Sequence, residues 1–148
     1  MTLECGPYWV DFLTTTCNES YIQTYNLAFG DAIIDSALIK SYMPTALSVK
    51  QQVQDEYLPI YVSKPEFTPL SSNNSLFSMF ITINDVGNSY SAKNASLYDI
   101  ITNEYAGLLY QSRARNFLFL PVPPVWRSPL TIAAGASYQR ADKEAIFS

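Results

Sequence analysis

Residues 94–126 read NASLYDIITNEYAGLLYQSRARNFLFLPVPPVW, and this stretch decides how the chain is divided. Leu97, Ile100, Ile101, Tyr105, Leu108 and Leu109 recur at three- and four-residue steps. Such spacing puts them on one face of a helix, predicted from Ser96 to Gln111. Asn94 and Ser96 are both suitable N-caps. Asp99 places an anion in the first turn, and Arg113 and Arg115 place cations at the far end, as the helix dipole favours. After Arg115 the pattern changes. Phe117, Leu118, Phe119 and Leu120 are apolar without a helical gap, and Pro121, Pro123 and Pro124 exclude regular helix. The reading is a compact body over 1–115, followed by 116–148 as an extended C-terminal arm or the final strand of the same domain.

Working outward, Pro7 to Thr16 is aromatic and β-branched and predicts a strand, and Ser20 to Phe29 partly alternates and predicts another. Asp31 to Ser41 fits a short helix or a strand equally. Thr45 to Tyr57 carries Ala46, Val49, Val53 and Tyr57 at helical steps. Pro59, Pro65 and Pro69 mark extended segments and turns. Leu76 to Asn84 alternates best and predicts the strongest strand, with a turn at Asp85 to Asn88. Leu130 to Tyr138 alternates loosely and could be a last strand. The expected class is α+β: a mainly antiparallel sheet with two or three helices packed on it.

Hydrophobic residues make 48% of the 148 positions and charged residues 15%, well under the roughly 25% of ordinary soluble domains. The formal net charge is −4, so no basic field for nucleic acid exists, and direct nucleic-acid binding is not expected. No stretch approaches the ~20 apolar residues of a membrane span, and the N-terminus lacks the pattern of a signal peptide. A cytoplasmic or particle-bound location follows as the expectation. Aromatics make 14%, with 11 Tyr, which suits interfaces and ordinary strands alike.

The chain has no histidine, which removes the commonest general base and metal ligand and rules out a Ser-His-Asp relay within it. Cys5 and Cys17 are too few for a zinc set. No cofactor or metal is expected. Asp31 and Asp35 would share a face if their segment were helical, a spacing common by chance.

Few charges, many Tyr, Asn, Ser and Thr, and proline-rich arms give the general character of a particle-forming protein. The expectation is a non-enzymatic structural subunit, such as a virus or phage capsid, connector or tail component, partnered by other protein subunits in a homo- or hetero-oligomer. Its interface would be Arg113, Arg115, Phe117, Phe119, Pro121, Pro123, Pro124, Trp126 and Arg127. The alternative is a small-molecule or peptide-binding module with an aromatic pocket. An enzyme using carboxylates ranks third.

Overall fold

The computed structural model describes residues 8–89 and 107–147. The first element is helix α1, Trp9–Thr15, not the predicted strand. Its side chains close their own backbone bonds. Asp11 Oδ2 accepts from Tyr8 N at 2.8 Å, and the Thr14 and Thr15 hydroxyls donate back to the carbonyls of Val10 and Asp11. These local bonds outweigh the β propensity of the same residues. Cys17, just after α1, is exposed, while Cys5 lies outside the described residues. Residues 21–29 form no strand. They run as an extended segment tied by Gln23 Nε2 and Tyr25 Oη, which donate to Phe67 O at 3.0 and 2.8 Å.

Ser48 starts helix α2 (49–61). Its Oγ accepts from Gln51 N, and its N–H donates to Gln51 Oε1, a reciprocal cap. The helix winds as α over Val49–Gln51, as π over Gln52–Tyr57, and as α again over Leu58–Tyr61. Pro59 accounts for the wide turn. It has no N–H for the carbonyl four residues back, and its ring crowds that carbonyl. Val49, Val53 and Tyr57 face inward, as their spacing predicts, and join Ile34, Leu109 and Ala114 in the main core.

Strand β1 covers only Leu76–Met79, and the predicted turn at 85–88 is part of helix α3, Ile83–Ser89. The helix predicted from Ser96 lies outside the described residues as far as 106, and its last turn, 107–111, is helical (α4). Strand β2, Asn116–Phe119, pairs with β1 in parallel, with Leu76 opposite Asn116 and Met79 opposite Phe119. The expected mainly antiparallel sheet is therefore corrected: among the described residues the sheet is these two parallel strands, in a small mixed α+β fold. Parallel pairing needs a long crossover, and residues 80–115, which include α3 and α4, supply one. The turn expected at Asp85 to Asn88 does not form, and Gly87 sits inside α3.

Beyond β2, residues 121–124 are irregular, as three prolines demand. A 3-10 turn, Val125–Arg127, leads into α5, Pro129–Ala133, and α6, Ala136–Phe147. The loosely alternating 130–138 thus forms parts of two helices, broken at residues 134–135, and no strand. Ser128 caps α5 through Thr131 N, and Pro129 sits in the first turn, where its missing N–H costs nothing.

Candidate active site

The segment Asp31-Ala32-Ile33-Ile34-Asp35 is neither helix nor strand, yet Ala32, Ile33, Ile34 and Asp35 are all buried. Buried backbone without regular structure must find its hydrogen bonds elsewhere. Here they come from two helix starts. Ile33 O and Ile34 O accept from Val49 N and Lys50 N in the first turn of α2, at 2.9 and 3.1 Å. From α3, Asp85 Oδ1 accepts from Ile34 N at 2.9 Å, and the Asn84 side-chain amide donates to Ala32 O at 3.1 Å. Asn88, one turn on, donates to Lys40 O at 3.3 Å.

The two aspartates of the segment also have fixed duties. Asp31 Oδ2 accepts from Ser41 Oγ and Met43 N, at 2.9 and 2.7 Å, and closes the loop behind the segment. Asp35 Oδ2 pairs with Lys50 Nζ at 2.8 Å, while its Oδ1 accepts from Ala37 N. They do not share a helix face, because no helix forms there.

Both sides of this junction are bent into the left-handed region. Asp31 has φ 63° and Thr82, just before α3, has φ 88°. For a β-branched residue this is a genuine outlier that costs on the order of 1–3 kcal/mol. Strain of this kind persists where the surroundings over-determine it, and it clusters at functional sites. Thr82→Gly is accordingly expected to stabilise the fold by about 1 kcal/mol, net of the entropy glycine adds to the unfolded chain. Thermal unfolding of the variant checks this; a lowered midpoint would show that the Thr82 side chain contributes more than its strain costs.

Asp85 is fully buried, and burial pushes its carboxyl up from 3.8 to about 6, against the opposing amides of Ile34, Asp85 and Thr82. It holds the segment from behind, where no solute reaches it. Asn84 is half-buried at the surface of the junction, and only one of its two amide N–H groups is used in the bond to Ala32. Such a donor can polarise a carbonyl oxygen. Neither Asn84 nor Asp85 was singled out from the sequence. Asn-Asp after an alternating apolar run reads as a turn, and an ordinary threonine at 82 gives no sign in the sequence of the left-handed bend before it.

The residues expected to form an interface are spread over several elements. Arg113 follows α4 in the left-handed region, and the Arg115 guanidinium lies 4.0 Å from the centre of the Tyr110 ring. Phe117 and Phe119 belong to β2 and stack on one another, and Phe117 packs on the main core. Pro121, Pro123 and Pro124 lie in the connection, Trp126 is half-buried and accepts at its carbonyl from Gln139, and Arg127 is exposed. Among the described residues, no cluster of three or more His, Cys, Asp or Glu could hold a metal ion, and no helix is long and apolar enough to cross a membrane.

No family model and no solved structure matches the chain. It is, however, 37% identical over 135 residues to a protein of Thermothelomyces thermophilus named acetylesterase. The match takes in 88% of this chain and 44% of that protein, so the chain spans less than half of the relative's length. Only about one-eighth of the chain falls outside the match, so residues 31–35 and 82–85 lie inside it. This similarity overturns the expectation of a non-enzymatic structural subunit and, with it, the virion assignment: what the chain resembles is an enzyme. The error has a physical cause. Composition reports how a surface is built, whereas function resides in a site of few residues that scarcely alter composition.

Proposed function

We propose that the chain belongs to an ester hydrolase acting on acetyl esters, and that the junction of residues 31–35 with the start of α3 is its share of the active site. The observation that carries this is the likeness to an acetylesterase running through a place where two strained segments, at Asp31 and Thr82, are clamped together. In this reading Asn84 is the carbonyl-polarising donor. Its second amide N–H meets the acetyl oxygen as negative charge develops there, and its bond to Ala32 O fixes its direction. Asp85 is a positioning residue: it anchors Ile34 and so the backbone on which Asn84 rests. With no histidine in these 148 residues, proton transfer from within the chain falls to carboxylate, lysine, tyrosine or cysteine side chains.

The test is acetate release from 4-nitrophenyl acetate by the purified chain, wild type against Asn84→Ala. The expected result is a wild-type rate above that of buffer and a loss of about tenfold or more in the variant, the order seen when one such donor is removed. A folded wild-type chain that leaves the ester at its buffer rate would overturn the proposal, as would equal rates for the two proteins.

A further inference from the structure

Away from that junction, a second set of residues has the makings of a binding site. A half-open cavity of about 30 Å³ lies where the end of α2 meets the turn after α4. Its floor is aromatic, with Tyr57 and Tyr61 stacked at 5.9 Å between ring centroids. Ser72 and Ser112 line it, and two cations, Lys64 and Arg113, complete its wall, with no carboxylate among the lining residues. We infer that this cavity binds a small oxyanion, a carboxylate or phosphate group, between Lys64 and Arg113.

The backbone at both cations argues for it. Lys64 has φ 52° and Arg113 φ 74°. Each follows a helix as its left-handed stop: Lys64 N donates to Tyr61 O, while Arg113 N donates to Tyr110 O and Ala114 N to Leu109 O. Glycine serves this position without steric cost, whereas a residue with Cβ pays roughly 1 kcal/mol for it. Two long cations stand at positions where glycine would stop the helix better, and both line one cavity.

The ordinary duty of a cation at a helix end is to cap the last carbonyls. At the end of α4 that duty is already filled. Arg115 Nη1 donates to Tyr110 O at 2.8 Å, and Ser112 Oγ donates to Leu109 O at 2.7 Å. The ion pair among the described residues is Lys50 with Asp35, elsewhere in the fold. Lys64 and Arg113, both exposed residues of the cavity's lining, therefore offer charge beside it in a chain whose net charge is −4. An oxyanion between them would gain charge-assisted hydrogen bonds, with the tyrosine rings excluding water on one side. The inference is independent of the ester-hydrolase reading.

The experiment is NMR titration of the purified chain at low salt with acetate, benzoate and inorganic phosphate in turn, wild type against the Lys64→Gly/Arg113→Gly double variant. Wild type should show saturable shifts at Tyr57 and Tyr61. The double variant should bind about tenfold more weakly or worse, and its thermal midpoint should hold or rise, since glycine suits both left-handed positions. Shifts with acetate or benzoate alone assign a carboxylate ligand; shifts with phosphate alone assign a phosphate group. A Lys40→Ala/Arg140→Ala variant removes the same charge from elsewhere and should keep wild-type affinity. Absence of saturable shifts in wild type, unchanged binding by the glycine variant, or equal loss in the charge control would each overturn the inference.

Discussion

Ile34→Ala is expected to destabilise the chain by about 2–5 kcal/mol, the range for deleting a fully buried branched side chain. Ile34 is 1% exposed and packs among Val49, Val53, Tyr57, Leu109 and Ala114. Alanine would lose the transfer energy of the removed carbons and leave a hole where α2, α4 and the 31–35 segment meet. That hole collapses poorly, because the backbone of Ile34 is held from both sides: its carbonyl by Lys50 N and its N–H by Asp85. Leu130→Ala, at a residue 83% exposed, should stay within about 0.5 kcal/mol of wild type. Urea unfolding of the two variants makes the comparison. Similar midpoints for both would mean that the core does not centre on this segment.

Asp85→Ala should cost about 3 kcal/mol at pH 5, with the gap to wild type narrowing by about 1 kcal/mol by pH 8. Two effects combine. Alanine leaves Ile34 N–H buried without its acceptor, which carries the full desolvation penalty of that donor. Against this, the wild-type carboxyl is itself disfavoured when charged: burial raises it from 3.8 to about 6. Between those values the folded chain holds a proton that the unfolded chain has released. The stability contribution of Asp85 is therefore greatest below about 3.8, falls as pH rises through the window, and is flat above about 6, a total change of at most about 3 kcal/mol. Asp85→Asn keeps an acceptor for Ile34 and removes the titration, so its stability should be flatter with pH than that of wild type. Chemical unfolding at several pH values reads both effects. A wild-type curve that rises between pH 4 and 6 by the same amount as the Asn variant would rule out a raised Asp85.

The sequence by itself determined the features that depend on near neighbours. Val49, Val53 and Tyr57 point inward because helix geometry puts them on one face, although the helix begins at Val49 behind a Ser48 cap and not at Thr45, where the periodic segment opens. The β2 run and the proline-broken connection after it follow from Phe117–Leu120 and Pro121–Pro124 in the same way. The absence of histidine limits the chemistry available to the chain. Other elements were misread because local bonds beat propensity: Asp11 turned an aromatic, β-branched run into α1.

Only the tertiary structure decided the candidate site. The bonds that hold it join Ala32 to Asn84 and Ile34 to Asp85, partners 52 and 51 positions apart. No periodicity in a window of a dozen residues registers a contact of that span. The burial that raises Asp85 likewise exists only once α3 is seated on the 31–35 segment, and the parallel register of β1 with β2 needs the whole crossover in place. Spacing along a chain reports which side chains share a face of one element. Which elements then meet is settled by the burial and hydrogen bonding of all of them together.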